Sequence, residues 1–343
     1  MAQPDGERRE GGTTPVLSVR DLVVEIPSRR GVVRPVDGVS FDIARGEILG
    51  VVGESGAGKS MTGAAVIGLI DPPGRIAGGA VLLGGGRIDR LPPAEMRRIR
   101  GKRVGMVFQD PLTSLNPLIP IGDQIAETIA AHLPVSAAEA RRRALAALEE
   151  VGIPAAARRI DSYPHEFSGG MRQRVVIALA LAAEPELVIA DEPTTALDVS
   201  VQAQIIDVLK EICAERGAAV MLITHDMGVI AETADRVAVL YAGRLAEIGP
   251  VREVIAAPRH PYTRGLMAST PSAAAPGARL RQIPGAMPRL DAIPPGCAFH
   301  PRCPDALARC RRETPPPMPT PAGVAACWLA GEAEPIGAGR AEA

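Results

Sequence analysis

Apolar positions along the chain fall into short runs set between Gly, Pro and charged turns. Residues 16–26, 32–43 and 48–52 have the β-branched content of strands. A helix is predicted over 61–69, a strand over 80–88 and, after Pro92 and Pro93, a basic helical turn over 94–100. A further strand over 103–108 ends at Gln109, and residues 109–117 leave it as a loop. Strand signals then vanish from about 118 to 166. Within that stretch Ser136 and Glu139 form a capping-box pattern that opens an Ala- and Arg-rich helix to Val151, where Gly152 stops it. Strands return at 187–190, 219–223, 236–241 and 244–248, with helices over 201–215 and through Ala231. Such alternation predicts an α/β fold with a mainly parallel, doubly wound sheet, an antiparallel β subdomain and a helical insertion at about 110–180. The expected division is a flexible tail (1–15), a main domain (16–250), a proline-rich C-terminal appendage (251–330) and a second flexible tail (331–343).

One junction between strand and helix carries chemistry. Gly53, Glu54, Ser55, Gly56, Ala57, Gly58, Lys59 and Ser60 fit the phosphate-binding pattern G-x-x-x-x-G-K-[ST], and Met61 opens the helix behind them. Glycines let backbone N–H groups turn towards a phosphate, and the helix presents its N-terminal dipole to the same anion. Lys59 is expected to reach the outer phosphates and Ser60 to hold magnesium. A second strand, 187–190, runs into Asp191 and Glu192. Beside a phosphate loop, Asp191 suits the magnesium shell and Glu192 suits the orientation and deprotonation of an attacking water. Ser168, Gly169, Gly170 and Met171 lie at a loop-to-helix boundary, where they serve either a γ-phosphate or a plain helix cap.

Composition narrows the setting. The net charge of −1 provides no basic field for nucleic acid. The longest apolar run, 175–183, falls far short of the roughly 20 residues of a membrane helix, and no N-terminal segment has signal-peptide character. The expected place is the cytoplasm, with membrane contact only through a partner. Five cysteines in that compartment are not expected to form structural disulfides. Four of them, Cys297, Cys303, Cys310 and Cys327, follow a C-x5-C-x6-C-x16-C spacing without the close pair typical of zinc sites. Four thiolates are also the requirement of an iron–sulfur cluster, and a set of packed reduced thiols is the plain alternative. Cys213 falls in a predicted helix and reads as a core residue.

Taken in order, the phosphate loop, Gln109, Ser168 to Met171, the acids Asp191 and Glu192, Ala196-Leu197-Asp198 and His225 resemble the ATP-binding subunits of ABC transporters. Phe-Ser-Gly-Gly-Met-Arg-Gln-Arg, Gln-Asp-Pro-Leu-Thr-Ser-Leu-Asn-Pro, His260-Pro-Tyr-Thr263 and the cysteine tail are similar to the oligopeptide/dipeptide importer subfamily. This resemblance implies a P-loop NTPase fold of the ABC nucleotide-binding type, with ATP and Mg2+ as cofactors. It implies a dimer in which Ser168 to Met171 of one subunit, with Asp198, closes on ATP held by the other. Glu192 would be the base, His225 would contact the γ-phosphate and hold Glu192, and Gln109 would sense metal and water. The implied partners are a second ATP-binding subunit, most simply in a heterodimer, two transmembrane permeases and an extracytoplasmic binding protein, with this chain at the cytoplasmic face of the membrane. It also implies a [4Fe–4S] cluster on Cys297, Cys303, Cys310 and Cys327. Nickel, glutathione or another small solute is the alternative cargo. A soluble ABC ATPase acting on nucleic acid or ribosomes is the alternative of another class, disfavoured by a single cassette, no coiled-coil heptads and no basic stripe.

The chain departs from the family pattern where an aromatic residue usually stacks on adenine. Ile26 occupies the corresponding place, and no Phe, Tyr or Trp lies between Met1 and Val39. Base–aromatic stacking contributes about 1–3 kcal/mol. Packing by Ile26, with Arg29 or Arg30 covering the base, is the expected substitute.

Overall fold

A computed structural model describes residues 14–29, 31–194, 199–269 and 282–330. Arg30, Ala196, Leu197, Asp198, residues 1–13 of the expected first tail and all of 331–343 lie outside the described residues. Twelve strands are present among them: β1 (Leu17–Ser28), β2 (Gly31–Ile43), β3 (Ile48–Val52), β4 (Arg75–Leu83), β5 (Gly86–Arg87), β6 (Val104–Val107), β7 (Leu187–Asp191), β8 (Ala219–Ile223), β9 (Arg236–Tyr241), β10 (Arg244–Pro250), β11 (Met318–Thr320) and β12 (Gly323–Ala325). The α-helices are α1 (Lys59–Val66), α2 (Pro93–Ile99), α3 (Pro111–Ser114), α4 (Ile121–His132), α5 (Ala137–Glu150), α6 (Ala156–Arg159), α7 (Gly169–Leu181), α8 (Val199–Arg216), α9 (Met227–Thr233), α10 (Val251–Ala256) and α11 (Pro261–Ala268).

The strands form two sheets. β2-β1-β4-β5 is antiparallel, and the larger sheet runs β11-β12-β10-β9-β3-β8-β7-β6. Within the larger sheet β6 to β7, β7 to β8, β8 to β3 and β3 to β9 are parallel. Every residue of β3, β7 and β8 is buried, as central parallel strands covered on both faces require. One face packs on α4, α5, α7 and α8 through Ile125, Leu148, Ile177 and Leu209, and the other meets the antiparallel sheet through Leu49, Ile189, Leu17 and Leu22. The Ser136 hydroxyl accepts a hydrogen bond from the Glu139 N–H at 3.2 Å and so caps α5 at its predicted start.

The structure differs from the sequence reading at one strand. The single strand over 80–88 is a hairpin, β4 and β5. Gly84 (φ +57°) and Gly85 (φ +81°) both adopt left-handed backbone, which makes the two-residue turn. Residues of the expected C-terminal appendage also pack on the main sheet. β12 pairs with β10, Glu247 opposite Ala325 and Ile248 opposite Val324, and Tyr262 and Phe299 join the core of the main sheet. The free edge of β10 offers unpaired backbone, which β12 satisfies.

Candidate functional site

Strand order decides which side chains meet. Because β6, β7, β8 and β3 are parallel neighbours in register, residues just beyond their C-terminal ends emerge at one level of the sheet. Gln109 follows β6, Glu192 follows β7, Thr224 and His225 follow β8, and the phosphate loop follows β3. Four separate stretches of sequence thus reach a single site.

The loop from Gly53 to Lys59 depends on two close approaches. A Cβ on Gly53 (φ +154°) would stand 2.3 Å from the Leu240 carbonyl oxygen, and one on Gly58 (φ +102°) would stand 2.2 Å from the Pro35 carbonyl oxygen. Lys59 turns back into the loop it ends. Its Nζ donates to the Gly53 carbonyl at 2.8 Å and to the Glu54 carbonyl at 3.2 Å. Burial pulls its pKa below the usual lysine range, while Glu192, Asp191 and Glu54 pull in the opposite direction.

At the end of β7, Asp191 is buried and its Oδ1 accepts from the Ser60 hydroxyl at 2.9 Å. Burial raises the Asp191 carboxyl above its ordinary range, the Ser60 hydrogen bond opposes that, Glu192 adds to it and Lys59 opposes it. Glu192 itself sits in left-handed backbone (φ +47°), held by its N–H donating to the Ile223 carbonyl at 2.8 Å. Its carboxylate is bracketed. Gln109 Nε2 donates to Oε2 at 3.2 Å, and His225 Nδ1 lies 3.3 Å from Oε1. A carboxylate fixed from two sides beside a phosphate loop has the geometry of a positioned base.

Other expected residues stand apart. Ser168 caps α7, its hydroxyl accepting from the Met171 N–H at 3.4 Å, and Gly169, Gly170 and Met171 form the first turn of that helix. Their hydrogen bonds are local to α7. Ile26 is half-buried on β1 opposite Val33, and Arg29 is exposed beyond the strand end. Asp198 lies outside the described residues, so its part in the site is not described. Cys213 is a core residue whose thiol is pushed up to about 12 by burial.

The chain is similar to known proteins. The ABC transporter family profile matches residues 36–195, and that of the oligopeptide/dipeptide transporter C-terminal region matches residues 246–310. The dipeptide transport ATP-binding protein DppD of Bacillus subtilis (strain 168) is 48% identical over 92% of this chain and 94% of its own length. The oligopeptide transport ATP-binding protein OppD of the same organism is 50% identical over 83% of this chain and 80% of its own length. This chain belongs to the ATP-binding subunits of oligopeptide/dipeptide ABC transporters. Among solved structures, the dimeric ATP-binding cassette MJ0796 in a post-hydrolysis state with ADP and Pi superposes with a TM-score of 0.62 at 28% identity, covering 69% of this chain and 99% of that one.

As a member of that family the protein binds and hydrolyses ATP. Beyond the cassette, its four clustered cysteines line one small cavity together with Trp328, and all four are free thiols. Burial pushes the Cys303 thiol up to about 11 and also raises Cys297 and Cys327. Among the described residues, no three His, Cys, Asp or Glu side chains are arranged to hold a metal ion. Sequence reasoning missed the contacts between this region and the phosphate loop. The Tyr262 hydroxyl accepts from the Glu54 N–H at 2.8 Å, and Arg302 Nη1 pairs with Glu54 Oε2 at 3.1 Å. The signal was His260-Pro-Tyr-Thr263, read only as a mark of the subfamily.

Proposed function

We propose that this ATPase energises uptake of dipeptides or oligopeptides from the cytoplasmic face of the cell membrane. Its partners would be a second ATP-binding subunit, two transmembrane permeases and an extracytoplasmic binding protein. One observation carries the coupling. Gln109, which donates to the Glu192 carboxylate, lies in a segment where Leu115 is buried but three other large apolar side chains are bare: Phe108 is 43% exposed, Leu112 63% and Leu118 83%. Exposed apolar groups this close together call for a partner surface, and here the same segment touches the catalytic carboxylate. Among the described residues no helix is long and apolar enough to cross a membrane, so translocation falls to other subunits.

Within the site, Gly53 to Met61 would cradle the phosphates, Glu192 would take the proton of the attacking water, and His225 and Gln109 would hold Glu192 in place. Ser60 and Asp191 offer the hydroxyl and carboxylate oxygens that suit magnesium, which when bound neutralises charge on the phosphates. Ser168 to Met171, with Asp198, would serve the ATP of the partner subunit, and the Ser168 cap hydrogen bond stays within the first turn of α7. Ile26 and Arg29 would pack on adenine. Cys297, Cys303, Cys310 and Cys327 would hold a [4Fe–4S] cluster. What supports it is that all four thiols line one small cavity, the number of thiolates such a cluster requires.

Reconstitution tests the cargo. Vesicles with the permeases, the second ATP-binding subunit and this chain, plus the binding protein, are expected to accumulate labelled dipeptide only with ATP inside the compartment this chain faces. Uptake of nickel or glutathione without peptide uptake would reassign the cargo. Association with ribosomes or nucleic acid in place of permeases would overturn the reading.

A further inference from the structure

The phosphate loop does not stand alone on its strand. The peptide unit joining Gly53 and Glu54 is planar, with its C=O and N–H pointing in opposite directions. Lys59 Nζ donates to the C=O of that unit at 2.8 Å, and the N–H of the same unit donates to the Tyr262 hydroxyl at 2.8 Å. One peptide plane is therefore held from both sides, by the catalytic-site lysine and by a tyrosine more than two hundred positions away in the chain. Tyr262 is itself closely packed. It is fully buried, it follows the helix-capping His260, whose Nδ1 accepts from the Tyr262 N–H at 3.0 Å, and its ring meets Tyr241 edge-on at 4.6 Å between centroids.

The side chain of the same loop residue is held as well. Arg302 reaches Glu54 Oε2 at 3.1 Å, with only 7% of its own side chain exposed, and its guanidinium lies over the rings of Tyr241 and Phe299. The turn that carries it is braced by the Arg302 N–H donating to the Phe299 carbonyl at 2.9 Å, and Cys303 comes next in the chain. Glu54 Oε1 is buried with no hydrogen bond among the described residues. Arg302 thus neutralises a carboxylate that sits close enough to Lys59 to affect its charge. Removed from that pairing, the carboxylate would leave a negative charge without its arginine beside the loop that receives a polyphosphate.

We propose that Tyr262 and Arg302 are positioning residues of the ATP site, so that the C-terminal region sets the loop's affinity for nucleotide. Tyr262 fixes the Gly53–Glu54 peptide in the orientation that receives Lys59. Arg302 cancels the Glu54 charge and holds the loop's first turn against the aromatic cluster. The proposal is independent of what the four cysteines bind.

The test is nucleotide affinity, measured by titration calorimetry with ATP on the full chain, beside the unfolding midpoint of the nucleotide-free protein. Tyr262→Phe keeps the ring and removes the acceptor. Arg302→Ala leaves the carboxylate unpaired. Each is expected to weaken ATP binding about tenfold, equivalent to about 1.4 kcal/mol. Adding Glu54→Gln to Arg302→Ala removes the stranded charge and is expected to recover most of the loss, and Arg302→Lys is expected to lose less than Arg302→Ala. A purely structural role would lower the midpoint in step with affinity and show no recovery with Glu54→Gln. Either that pattern, or wild-type ATP affinity in both Tyr262→Phe and Arg302→Ala, would overturn the proposal. If Arg302→Ala does not fold, Tyr262→Phe and Arg302→Lys decide it on the same titration.

Discussion

Glu192→Gln is expected to leave ATP binding near the wild-type level and to lower turnover by about a hundredfold to ten-thousandfold, the range lost with a general base. The expectation rests on what the substitution keeps. Glutamine has the shape of glutamate, so it fits the same left-handed backbone after β7, and its amide can still meet Gln109 and His225. What it cannot do is accept a proton from water. The residues proposed to hold the phosphates are others, the loop and Lys59, so affinity should hold while chemistry stops. ATP titration and steady-state phosphate release on the same preparation check both halves. Unchanged hydrolysis would remove Glu192 as the base. Loss of binding together with turnover would mean that Glu192 supports the loop instead.

The second large effect concerns the cysteines. Protein purified without oxygen is expected to be brown and to carry about four iron and four sulfide per chain. Cys303→Ser is expected to lose most of that content while the cassette still binds ATP. Burial raises the thiols of Cys297, Cys303 and Cys327 above the ordinary cysteine range, so these three are poor nucleophiles at neutral pH. Loading must release their protons, and the iron content reached on reconstitution should therefore rise with pH towards the alkaline side. A colourless, iron-free protein from anaerobic purification, with its fold intact after chelation, contradicts the cluster.

Much of the cassette was legible because its signals are local. Short, uniformly apolar runs at 48–52 and 219–223 mark strands buried on both faces, and the structure assigns β3 and β8 to those same residues. Ser136 and Glu139 announced a helix start that depends on nothing outside its first turn. The hairpin at Gly84 and Gly85 was hidden because the three glycines 84–86 beside an apolar run were read through rather than as a turn. β11 and β12 have three residues each, too few for any periodicity, and only the open edge of β10 explains them. For the site, the order of Gln109, Glu192 and His225 along the chain carried the resemblance. Their mutual contacts, however, follow from the strand order β3-β8-β7-β6, which no local pattern encodes. Arg302 is the extreme case. It meets Glu54 across 248 positions, and nothing beside either residue points to the other.

The central claim is that hydrolysis at this site is harnessed to partners bound at the segment after Gln109. The most direct measurement is ATP turnover by the reconstituted assembly before and after addition of peptide-loaded binding protein. A several-fold rise is expected, and it should disappear when Leu112 and Leu118, both exposed, are replaced by aspartate. Turnover that is the same with and without permeases and loaded binding protein would contradict it.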